Sequence, residues 1–124
     1  MGINSHHMTD KIKIYNKEYP VKFGNGAIKR FCQIKDISNL PGFFDHLRKL
    51  DLGSLKIDAV EDIALILKCA IESGSELKGV EVSISQSMIF EWFGDDMEAM
   101  PKVIGLLHVS LPQNKKKEPR EKNV

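Results

Sequence analysis

The chain has 124 residues, a formal net charge of +1 and 42% hydrophobic residues, values of an ordinary soluble domain with enough length for one real core. A chain of this size buries roughly two-thirds of its unfolded surface, so it needs no disulfide or metal staple. No apolar run approaches the roughly 18 to 20 residues of a membrane span, and the expected setting is the cytoplasm. The first eight residues, with His6-His7 and a second Met at position 8, read as a vector-derived leader and are set apart from the fold. The expected organisation is one globular domain over 9–112 and a tail over 113–124. From Lys115 on, five basic residues face two acidic ones, so a tail of +3 leaves a body of −2.

In chain order, Ile12 and Ile14 alternate with lysines as on a half-buried strand, and Tyr19, Val21 and Phe23 resume that alternation on a return strand. Asn16-Lys17 can supply the tight turn, since Asn tolerates positive φ. Pro20 lacks a backbone donor and marks the return strand as an edge or as interrupted. Past Gly24-Asn25-Gly26 the apolar spacing becomes helical: Ile28, Phe31 and Ile34 face inward from a helix over 26–36, with Asn25 as N-cap.

Pro41-Gly42 then breaks the pattern, and Phe43, Phe44, Leu47 and Leu50 suggest a short second helix. The strongest helix covers 58–73, with Asp58 and Glu61 spaced as a capping box and Gly74 as the stop. It is apolar around most of its circumference, which favours a central position over an exposed second face. Val80 to Ile84 read as a loop or short strand, leading to a helix capped by Ser83 or Ser85. That helix, over 86–93, buries Met88, Ile89, Trp92 and Phe93 and ends at Gly94. A last helix starts at Asp95 or Asp96 with Met97, Met100, Ile104, Leu107 and Leu111 inward. Pro101 demands a kink or a fresh start there, and Pro112 ends the helix. The tail has no apolar content before its final residue and is expected to be disordered. The fold class is therefore α+β, mainly α: an N-terminal β-hairpin packed on four or five short helices, with a disordered basic C-terminal tail.

The stretch Tyr15-Asn16-Lys17-Glu18-Tyr19-Pro20-Val21-Lys22-Phe23-Gly24, followed by Ala27-Ile28-Lys29-Arg30-Phe31, resembles the opening of tail assembly chaperones from long-tailed bacteriophages. The likeness extends more loosely through the apolar middle helix and the two late helical segments. The long middle loop around 52–56 and Pro101 depart from the family pattern. The resemblance implies a non-enzymatic protein, encoded by a phage or prophage, that coats apolar stretches of the tape measure protein, helps recruit tail tube protein and self-associates along its client. It also implies that Lys115-Lys116-Lys117 are encoded at a slippery site, where a frameshift appends a longer extension.

Nothing in the residues argues for catalysis. No Ser/His/Asp or Cys/His set has supporting context, there is no Walker-type loop, and no Cys or His has ligand spacing, so no cofactor and no metal are expected. Cys32 and Cys69 read as buried thiols. The carboxylate clusters, Glu61-Asp62 and Asp95-Asp96 with Glu98, suit helix starts, where they oppose the macrodipole. The aromatic doublets Phe43-Phe44 and Trp92-Phe93 are the candidate partner-binding residues, since one ring of each can enter the core while its neighbour faces a partner. The alternative from another class is a DNA-binding regulator with a helix-turn-helix over 86–111. Glu91, Asp95, Asp96 and Glu98 would then face the phosphates, and this makes nucleic acid the weaker partner.

Overall fold

A computed structural model describes residues 10–50 and 56–110. The proposed leader, most of the loop around 52–56, Leu111, Pro112 and the basic tail lie outside them. A two-stranded antiparallel hairpin, β1 (Asp10–Ile14) and β2 (Lys17–Val21), leads into five helices: α1 (Asn25–Lys35), α2 (Leu40–Arg48), α3 (Ile57–Lys78), α4 (Gln86–Asp95) and α5 (Ala99–Ser110). This is the expected α+β, mainly helical architecture with an N-terminal hairpin.

The hairpin turn lies one residue earlier than the sequence suggests. Ile14 pairs with Lys17, so Tyr15 and Asn16 form the loop, with φ of 50° and 69°. Two positive φ values in a two-residue loop give the turn whose twist suits adjoining strands. Pro20 sits within β2 opposite Lys11; in a two-stranded sheet both strands are edges, so its missing donor is tolerated. The inward set is the expected one: Ile12, Ile14, Tyr19, Val21 and Phe23 are all buried.

α3 is the axis of the molecule. Every residue from Ile63 to Leu67 is buried, as are Cys69, Ala70 and Ile71, which is the central packing that its all-round apolarity suggests. Its length was not legible. The helix runs through Ser73-Gly74-Ser75 to Lys78 and stops at Gly79, whose φ of 72° is left-handed. Gly74 is instead a contact point: a Cβ there would stand 2.8 Å from the Val21 nitrogen and 2.9 Å from the Pro20 carbonyl carbon. One turn earlier, the Lys22 N–H donates to the Ala70 carbonyl at 3.0 Å, so β2 lies directly on helix backbone. The N-terminus of α3 is at Lys56, without a side-chain cap, rather than at Asp58.

The other helix starts also shift. α1 begins after Gly24 with no side-chain cap, so Asn25 is not the N-cap, and Ile34 is 58% exposed rather than inward. α2 begins at Leu40, capped by Asn39, whose side chain accepts from the Gly42 N–H at 2.8 Å. Pro41 therefore lies in the first turn, where no amide donor is required. Val80 to Ile84 form no strand, and Ser85 caps α4 by accepting from the Met88 N–H. In α4 Ile89 and Trp92 are buried, while Met88 is exposed.

α5 is rotated by about one position from expectation. Ala99, Val103 and Leu107 are buried, Met100 is half-buried and Met97 is 87% exposed in the turn before the helix. Because the helix begins at Ala99, Pro101 also lies in its first turn, and no kink or restart is needed. Asp96 closes the turn by accepting from the Glu98 N–H at 3.0 Å.

Candidate functional site

The N-terminal ends of α1 and α2 converge on a cleft without a charged side chain. Its walls are Phe23 and Gly24 from the hairpin exit, Ala27, Ile28 and Phe31 from α1, Phe43 from α2, Ile66 from α3 and Leu107 from α5, and they close on one another to leave only about 10 Å³ of room, with each apolar wall residue 5% exposed or less. Phe31 and Phe43 meet edge to face at 5.7 Å, and Phe44 sits against Phe43 at 5.2 Å. Such edge contacts add roughly 0.5–1.5 kcal/mol each beyond the burial of the rings. On its other side Ile28 lines a wider groove between α1 and the 37–40 segment, which ends at the half-exposed Leu40.

α2 is held in place by one buried acid. Asp62, 7% exposed on the inward side of α3, accepts from Lys35 Nζ of α1 at 3.0 Å and pairs with His46 Nε2 of α2 at 2.6 Å. A carboxylate taken out of water must be paired, and here it is paired twice. The His46 ring also contacts Phe31 at 5.6 Å, so the polar clamp and the aromatic cluster share a neighbour. The sequence carried a signal for this. Asp62 shares a helical face with Leu65, Ile66 and Cys69, and a charge within an apolar stripe implies a buried partner.

The four candidate partner-binding residues divide into two kinds. Phe43 and Trp92 are core, 1% and 4% exposed, so neither ring offers a surface in this conformation. Phe44 and Phe93 are half-buried against the core and keep some exposed surface. The doublets stand on different helices, and among the described residues no ring contact links them. Sequence reasoning missed Phe23, Ile28, Phe31 and Leu107 as lining residues. Each is an inward residue of its own element, and only tertiary packing shows that they leave a cleft.

The chemistry elsewhere is quiet. Burial pushes the Cys69 thiol up to about 11 and raises that of Cys32, so both stay protonated and weakly nucleophilic near neutral pH. Asp62 turns inward and Glu61 outward, so that pair does not act together. Asp95 accepts from the Tyr15 hydroxyl, which holds the phenol at about 12. Arg30 reaches Glu76 at 2.6 Å and draws that carboxyl below its ordinary value. A polar groove lies between Glu61 and the start of α4, where Gln86 donates to the Glu61 carbonyl at 3.0 Å. Among the described residues no three of His, Cys, Asp and Glu stand together as a metal site, and no helix is long and apolar enough to cross a membrane. No family model, no curated protein and no solved structure matches the chain.

Proposed function

We propose that this chain is a non-enzymatic tail assembly chaperone of a long-tailed bacteriophage, which covers apolar helix faces of the tape measure protein and helps bring in tail tube protein. The resemblance of residues 15–31 to the opening of that family supplies the prior. The observation that carries the reading is the groove between α1 and the 37–40 segment, lined by Ile28, Cys32, Ile37 and the half-exposed Leu40. A helix bound in a groove needs an apolar channel with a few protruding anchors, and buries there the stripe it would otherwise expose. A tape measure helix has such a stripe before the tube closes around it. The resemblance further implies several copies per client and a bacterial cytoplasmic setting.

The DNA-binding reading gains nothing from the geometry. α4 and the turn after it expose Glu91, Asp95, Asp96 and Glu98, a surface that repels phosphate.

The test is co-expression with the tape measure protein of the phage or prophage that encodes this chain. The expected result is a soluble complex that co-purifies, and its loss when Leu40→Asp is introduced at a position already half exposed and so safe for folding. Failure to co-purify, or salt-sensitive binding to duplex DNA instead, would overturn the reading.

A further inference from the structure

The groove between α1 and the 37–40 segment differs from one wall to the other. Its floor is apolar from Ile28 to Leu40, and one wall is a polar ridge of α1 made by Asn25, Lys29 and Gln33, spaced i, i+4 and i+8 on one side of the helix. All three are exposed, and Lys29 is the one charged residue in the lining. The opposite wall, Ser38 and Asn39, is neutral. No acid lines the groove to offset the lysine. Glu76, the carboxylate that Lys29 influences, is bridged by Arg30 at 2.6 Å, and Asp36 follows the last turn of α1, outside the lining. α1 also begins with no side-chain cap and no acidic residue in its first turn, so its positive end adds to the potential beside Asn25. The groove leaves room of about 360 Å³. It follows α1 for about 12 Å along the axis, roughly two turns of a docked helix.

We infer that the occupant of this groove is an amphipathic helix with a carboxylate at the edge of its apolar stripe, which meets Lys29 while the stripe covers Ile28 and Leu40. This rests on the proposed function and narrows it to one class of client segment, an apolar helix whose flank is acidic. An apolar floor gives affinity but little selection, since the stripe of any amphipathic helix can cover it. A single cation on one wall gives both register and discrimination. An acid placed there forms a charge-assisted pair with Lys29, whereas a basic flank meets it with like charge. Asn25 and Gln33, one turn to either side, both donate and accept, so they do not oppose the carboxylate.

The experiment reads fluorescence anisotropy as the full chain is added to labelled 20-residue peptides that tile a phage tape measure protein. The tightest binder is expected to carry Asp or Glu beside its apolar stripe. Replacing that acid by Gln should weaken binding about threefold and replacing it by Lys about tenfold, with both differences shrinking as salt is raised. Lys29→Glu, at an exposed helix position, should invert the order so that the Lys version binds best. Lys11→Glu, the same change of charge on β1 and outside the lining, should leave the order intact. Circular dichroism checks that both variants stay folded. Peptides that lose affinity to Leu40→Asp yet bind equally in their acid, Gln and Lys versions would overturn the inference and leave the proposed function standing. So would an order that Lys29→Glu does not move, or that Lys11→Glu moves as much. If no peptide binds, or if binding ignores Leu40→Asp, the groove reading and this inference fall together.

Discussion

The half of the molecule built from the hairpin, α1, α2 and α3 is held differently from the half built from α4 and α5. In the first, backbone lies on backbone: Gly74 admits β2 to the surface of α3, the Lys22 N–H reaches the Ala70 carbonyl, and Asp62 clamps α1 and α2. In the second, the hold is mainly side-chain burial by Ile84, Ile89, Trp92, Ala99, Val103 and Leu107, with short caps at Ser85 and Asp96. The first half is a platform whose geometry is over-determined. The second can yield locally at lower cost, and its last helix adds Leu107 to the crevice at Phe43.

Truncating a ring at the centre of the platform breaks this comparison most severely. Phe43→Ala should cost about 3–5 kcal/mol, read as a lower urea midpoint, because a fully buried aromatic leaves a cavity beside Phe31. Asp62→Ala should cost about 2–3 kcal/mol, less than for a fully buried pair because Lys35 and His46 keep about a third of their surface in water. Hydrogen exchange should show that loss in α1 and α2 ahead of α4 and α5.

Matched glycine substitutions sharpen the contrast. Gly74→Val should lower stability by about 1–3 kcal/mol, since helix backbone and strand backbone must separate to admit it. Gly105→Ala, in open space within a helix, should raise it by up to about 1 kcal/mol. Equal effects at the two sites would end the distinction between the halves.

The smallest effect concerns the single tie from the hairpin turn to the end of α4, from the Tyr15 hydroxyl to Asp95. The folded-state phenol is raised to about 12 from its ordinary 10, so its contribution is complete below pH 10 and is lost as pH climbs toward 12. Tyrosinate absorbance should show one late-titrating phenol, and Asp95→Asn should bring it back toward 10.

Much of the fold was legible because period and burial agree. Ile12, Ile14, Tyr19 and Val21 alternate, and Ile63 to Ile71 saturate a helix, so the hairpin and the central axis followed from local pattern. What failed was punctuation whose meaning depends on a neighbour. Gly74 has the chemistry of a stop but serves a close approach to Pro20 and Val21, and Pro41 and Pro101 have the chemistry of breakers but lie in first turns. Once α5 is placed to start at Ala99, its buried set becomes Ala99, Val103 and Leu107, with Met97 exposed and Ile104 half-buried, while Leu111 lies outside the described residues. For the candidate site, the doublets marked aromatic positions of which Phe43 and Trp92 are core, and a groove is a property of several elements at once. Phe23 and Leu107, more than eighty residues apart, share the crevice at Phe43 without any sequence sign that they meet.

The most direct test of the proposed function is an NMR titration of the full chain with overlapping helical peptides from a phage tape measure protein, the client that the proposal names. The proposed function predicts that at least one apolar peptide binds and that the shifts concentrate on Ile28, Cys32, Ile37 and Leu40, which line the groove. Saturating peptide with no shifts there, or shifts confined to α4, would contradict it.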